Sequence, residues 1–83
     1  MYRLTLTNMA EDDLGRLKAD NLELKYKVQN AISDLSENPD SRKVEVLKEN
    51  GSGITTCFTE VGDRDLLFNL NRPRQTITVL GVS

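Results

Sequence analysis

Eighty-three residues with 37% hydrophobic and 29% charged side chains make one small soluble globular domain, residues 1–83, with little room for a second core. Eleven basic against 13 acidic side chains, a formal net charge of −2, exclude a purely electrostatic nucleic-acid binder, which would be clearly basic. The chain has no His and one Cys, which excludes Ser-His-Asp triads, Cys-His nucleophile pairs, His-containing or thiolate zinc sites and an internal disulfide.

No apolar run approaches the roughly 20 residues of a membrane span. The N-terminus, Met-Tyr-Arg-Leu-Thr-Leu-Thr, lacks a signal-peptide apolar region. A cytoplasmic location is the expectation, with no membrane partner, no cofactor and no metal. The aromatics are Tyr2, Tyr26, Phe58 and Phe68, so the core falls mainly to Leu, Val and Ile.

In chain order, Tyr2, Leu4 and Leu6 alternate with Arg3, Thr5 and Thr7, the pattern of a half-buried strand. Asn8 is the expected N-cap of a first helix, with Glu11, Asp12 and Asp13 complementing its dipole. Ala10, Leu14 and Leu17 mark its buried stripe. Gly15 lies inside it, where it either weakens the helix or admits close packing. Asp20 and Asn21 break the pattern. A second helix follows over about residues 22–37, with Leu24, Val28, Ala31, Ile32 and Leu35 on one face. Asn38-Pro39 stops it, because a residue before proline is pushed out of the α region. The short link favours an antiparallel helical hairpin.

Residues 40–53 are charged and end in Asn50-Gly-Ser-Gly53, a flexible turn. Val44, Val46 and Leu47 anchor this linker or form a short strand. Strands are expected over 54–61, 64–70 and 75–82, joined by a tight Gly62-Asp63 hairpin and by Asn71-Arg-Pro-Arg74. Leu66, Phe68 and Leu70 share one phase, while Leu67 and Leu80 lie on the other, which predicts a sheet partly covered on both faces. The order β-α-α-β-β-β makes an α+β fold, an antiparallel sheet with a helical hairpin on one face. Cys57 sits in a strand-like run and reads as a core residue.

These elements resemble the RelE/ParE toxin superfamily of bacterial toxin–antitoxin systems. The residues carrying the resemblance are Tyr2-Arg-Leu-Thr-Leu, the stripe Ala10…Leu14…Leu17, Leu35-Ser-Glu-Asn-Pro39, Val46-Leu-Lys48 and Gly62-Asp-Arg-Asp-Leu-Leu-Phe68. The resemblance implies a cytoplasmic toxin-like component bound by a cognate antitoxin. Its cellular target would be the ribosome and its messenger RNA, or DNA gyrase. In the ribosome-dependent members, an Arg after a Gly-Asp-aromatic turn helps hold the scissile phosphate. The matching position here is Asp65, one residue beyond Arg64, and neighbours on a strand point to opposite faces. The family also tends to carry basic or aromatic residues past the last strand, whereas this sequence ends at Ser83. The expectation is therefore a degenerate or non-nuclease member, with ribosome-dependent endoribonuclease activity not expected.

Cleavage of RNA builds negative charge on a pentavalent phosphate and needs cations aimed at it. The candidate phosphate or RNA contacts are Arg42, Lys43 and Lys48 in the linker and Arg64 at the turn. They lie among Asp40, Glu45 and Glu49, so solvated surface charge is the competing reading. Arg72 and Arg74 flank Pro73 and read as surface residues. A protein–protein interaction module, or a small inhibitor of a larger enzyme, is the alternative to the toxin-like role.

Overall fold

The computed structural model describes residues 1–83. Its elements are β1 (Arg3–Leu6), α1 (Asn8–Asp20), α2 (Leu22–Glu37), β2 (Glu45–Asn50), β3 (Ile54–Val61), β4 (Arg64–Asn71) and β5 (Thr76–Val82). The strands form one sheet in the order β1-β5-β4-β3-β2. Consecutive strands from β2 to β5 pair antiparallel, while β1 pairs parallel with β5. The α+β class is as expected, and two details differ. The sheet is mixed, because β1 reaches β5 by way of the helices. The linker contributes a full edge strand, β2.

Both helices pack on one face. Ala10, Leu14 and Leu17 of α1, and Leu24, Val28, Ala31, Ile32 and Leu35 of α2, are buried. They meet Cys57 and Val61 of β3, Leu66, Phe68 and Leu70 of β4, and Ile77, Val79 and Val82 of β5 in a single core. Phe68 and Leu66 are 0% exposed. Each such side chain stabilises the fold by roughly 1.5–3 kcal/mol relative to exposure. Cys57 is a buried core residue, as its strand context predicted.

The caps correct the reading by one residue. Thr7, not Asn8, is the N-cap of α1, its hydroxyl accepting from the Ala10 N–H. The same hydroxyl lies 3.1 Å from both the Val79 and Leu80 carbonyl oxygens, to which it donates. It joins the end of β1, the start of α1 and the irregular part of β5. Asn21 serves both helices: its N–H donates to the Leu17 carbonyl and its side-chain oxygen accepts from the Leu24 N–H. One residue thus satisfies orphan groups at two helix ends.

Gly15 is exposed, and a Cβ there would meet nothing within 4 Å. It admits no close packing. Gly81 does: a Cβ there would lie 2.9 Å from Asp13 Oδ2. That oxygen accepts from the Val82 N–H at 2.9 Å. The β4–β5 register shifts between Leu67 and Phe68, and Asp13 supplies the strand end with an acceptor from the helix layer. Gly62 has φ +62° in the hairpin between β3 and β4, a conformation that favours glycine. Strand β5 starts at Thr76 rather than residue 75 because Gln75 has φ +52°, outside the β region.

Candidate functional site: the open face of the sheet

The second face of the sheet carries no helix. Register places Phe58 opposite Leu67, Thr56 opposite Asn69, Asn69 opposite Thr78, and Glu60 opposite Asp65. These residues share the open face, because directly paired residues project to the same side. Leu67 and Leu80 are half-buried without a second layer. Coverage on both faces was expected from them; their shielding comes from neighbours on the same face.

A polar ladder crosses this surface. Asn50 Nδ2 donates to Thr56 Oγ1 at 3.0 Å, and Thr56 Oγ1 donates to Asn69 Oδ1 at 2.7 Å. It fixes the amide of β2, the hydroxyl of β3 and the amide of β4 in one line. Nothing in the helix and strand periodicity announced it. The signal available in sequence was the recurrence of Asn and Thr at the open-face phase of three strands.

The candidate cations do not converge. Arg42 is half-buried, and its Nη1 lies 3.3 Å from Asp34 Oδ2 on α2. Its Nε is shielded from solvent without a hydrogen-bond partner. Lys43 is exposed, and its carbonyl accepts from Thr59 Oγ1 at 2.8 Å, which ties the linker to β3. Arg42 and Lys43 line a depression of about 360 Å³ with Glu45, Phe58 and Glu60. Two carboxylates there offset the two cations, and Arg42 is already paired outside it. Lys48 is exposed on β2 opposite Thr56, beside the polar ladder. Arg64 is exposed at the β3–β4 turn opposite Val61, whose side chain is buried under the helices. Arg64 is therefore off the open face, and the residue on it is Asp65.

The β3–β4 end of the face is consequently acidic. Asp65 and Glu60 stand directly opposite, an arrangement in which like charges repel. The Asp65 backbone exchanges hydrogen bonds of 2.9 Å with Ser83, which closes the β4–β5 ladder. No group of three or more His, Cys, Asp or Glu side chains is arranged to hold a metal ion. No helix is long and apolar enough to cross a membrane.

Arg72 is more engaged than its turn suggested. Its Nη2 lies 2.9 Å from Asp40 Oδ1, linking the β4–β5 turn to the segment after α2. Hydrogen bonding and charge attraction from Arg72 hold the Asp40 carboxyl below its ordinary range. Asp40 in turn raises the Arg72 guanidinium, chiefly through the same hydrogen bond. Both groups are exposed, so the pair is a surface strap rather than a reactive centre.

The architecture is that of the RelE/ParE-like toxins. The chain is similar to the archaeal RelE–RelB complex from Pyrococcus horikoshii OT3, with 20% identity and a TM-score of 0.81 over 99% of this chain and 92% of that one. It is similar to the RelBE2 toxin–antitoxin complex from Mycobacterium tuberculosis, with 24% identity and a TM-score of 0.77 over 99% and 95% of the two chains. It is also similar to the YoeB–YefM complex from Staphylococcus aureus, with 15% identity and a TM-score of 0.74 over 100% and 95%. No family model matches the sequence, and no curated protein does.

Proposed function

We propose that this chain is the toxin-like component of a bacterial type II toxin–antitoxin system, held by a cognate antitoxin, and that it acts without cleaving messenger RNA. The toxin-like half rests on likeness of fold along nearly the whole chain to proteins solved in complex with antitoxins. The second half rests on one observation: Asp65 and Glu60 face each other on the open surface where a phosphate would need cations. A carboxylate pair repels a phosphodiester, and the transition state carries still more negative charge. Arg42 is paired with Asp34, Arg42 and Lys43 are offset by Glu45 and Glu60, and Arg64 is turned off that face, which leaves Lys48, opposite Thr56, as the single one of these cations on the open face. A target such as DNA gyrase, engaged by protein contact, makes no demand for a phosphate-binding cluster.

Inducible expression in a bacterial host tests this reading. Growth arrest that is relieved by co-expression of the adjacent gene's product, with message intact, is the expected result. Arrest accompanied by ribosome-associated cleavage of messenger RNA would overturn the non-nuclease half. Accumulation of folded product with no effect on growth would favour the other reading, a non-catalytic interaction module, which the same acidic surface also fits.

A further inference from the structure

We propose that the hollow between the start of β1 and the β4–β5 turn binds the phosphate monoester group of a small molecule, held by the guanidinium groups of Arg3 and Arg74. The site lies at the corner of the sheet remote from the Glu60–Asp65 pair, and the proposal does not depend on the toxin-like reading.

The arginines of the chain divide by what surrounds them. Arg16, Arg42 and Arg72 are each paired with an aspartate. Arg3, Arg64 and Arg74 have no carboxylate partner. Two of these three, Arg3 and Arg74, line one hollow of about 590 Å³ together with Met1, Tyr2, Gln75 and Thr76. No Asp or Glu lines it. The depression beside Arg42 and Lys43 differs in this respect, since Glu45 and Glu60 offset its cations.

The fold places both arginines. Arg3 opposes Thr76 in the parallel β1–β5 ladder, and its N–H donates to the Gln75 carbonyl at 2.8 Å. Arg74 sits in a turn braced from within. Its N–H donates to Asn71 Oδ1 at 3.1 Å, and the Gln75 N–H donates to the Arg72 carbonyl at 3.2 Å. Pro73 fixes a further dihedral there, and Gln75 holds φ +52°. Tyr2 forms a wall. Its backbone is tied twice to Ser36, and its side chain is partly buried against the core.

No carboxylate neutralises this corner. Asp40, which is tied to the same turn, is already held by Arg72 at 2.9 Å. The acidic end of the sheet is distant. Asn71 pairs with Thr76, and Asp65 lies back along β4 by six residues, or roughly 20 Å. That exceeds the screening length of roughly 8 Å at physiological salt.

Charge and size select the ligand. Two guanidinium groups sharing a hollow without a counter-ion repel each other, and a dianion relieves that repulsion while attracting both. A phosphate monoester carries about −1.5 to −2 charge at neutral pH and presents three acceptor oxygens, enough for two planar forks. A carboxylate or a phosphodiester brings a single charge and leaves one guanidinium unmatched. The hollow is larger than a phosphate alone and falls within the roughly 300–1,000 Å³ of small-molecule sites. The remaining space lies against Tyr2, with the Thr76 hydroxyl and the Gln75 amide as neutral donors. A guanidinium gives up no proton at neutral pH, so the corner is built for binding rather than cleavage.

Amide-resonance titration of the purified chain with adenosine 5′-monophosphate, ribose 5-phosphate, inorganic phosphate and adenosine tests the inference. Both esters should shift the Arg3, Gln75 and Thr76 amides to saturation below ~10 mM. Inorganic phosphate should bind more weakly, and adenosine should leave these amides unmoved. Arg3→Gln and Arg74→Gln should each weaken ester binding by ~10-fold or more, and Arg64→Gln, which removes the third unpaired arginine, by less than ~2-fold. Melting curves establish that each variant is folded. Equal weakening by Arg64→Gln would reduce the effect to net charge and overturn the proposal. So would the lack of a saturable shift with either ester, or an adenosine response equal to that of its monophosphate. Inorganic phosphate binding as tightly as the esters would overturn it too, by making the corner a site for the free ion alone.

Discussion

The two faces of the sheet answer different questions. The helix-covered face is apolar, alternates regularly and holds the core, with Leu66 and Phe68 fully buried against α1 and α2. The open face mixes Phe58, Leu67 and Leu80 with an Asn-Thr ladder and ends in Glu60 and Asp65. The covered face fixes the scaffold, and many side-chain sets would do so provided volume and pattern are kept. The open face is free of that duty, so its charges report on chemistry. In this chain the facing carboxylates Glu60 and Asp65 are the observation on which the proposed non-nuclease role rests.

Substitutions on the two faces should therefore separate. Phe68→Ala empties the middle of the covered face and should cost about 3–5 kcal/mol in urea unfolding. Phe58→Ala, on the open face and half-buried, should cost less than half of that; equal losses would show that the open face is also core. Gly81→Ala places a Cβ against Asp13 Oδ2 and should cost about 1–3 kcal/mol, with loss of the Val82 amide's protection from hydrogen exchange. Gly15→Ala, exposed within α1 with nothing nearby, should raise stability by about 0.5–1 kcal/mol. Asp65→Asn removes one of two facing carboxylates and should stabilise by a few tenths, roughly 0.2–0.5 kcal/mol near neutral pH. The smallest effect belongs to the strap. The Asp40 carboxyl is depressed, so its contribution is present above its unfolded pKa and lost as pH falls through its folded value. Arg72→Gln should flatten that acid-side loss in a stability-versus-pH profile.

The sequence displayed most of the covered face because burial imposes a period. Spacings of three and four in Ala10, Leu14 and Leu17, alternation in Leu66, Phe68 and Leu70, and the Asn38-Pro39 stop placed both helices and three strands to within a residue or so. Strand β2 was only half legible, as its apolar pair Val46-Leu47 is consecutive, exposed and interrupted by a register shift. The parallel β1–β5 pairing is a contact between chain ends that no local period encodes. The N-cap slipped by one because Thr7 and Asn8 are both capping residues, and the choice was made by the Val79 and Leu80 carbonyls reaching Thr7. Alternation along the strand put Arg64 and Asp65 on opposite faces, as their pairing with Val61 and Glu60 does. The Glu60 opposite Asp65, the Asp34 partner of Arg42 and the outward edge of β1 were invisible, since each depends on which strand or helix lies alongside.

The central claim is that this scaffold carries an open face unable to stabilise a cleaving phosphate. Its most direct test adds the purified chain to purified ribosomes programmed with a defined messenger RNA and maps the 5′ ends of the message. Intact message at every codon, with the chain folded and in excess, is the predicted result. Codon-specific cleavage that appears with the chain, and is lost when Arg42, Lys43, Lys48 and Arg64 are replaced by Ala, would contradict it.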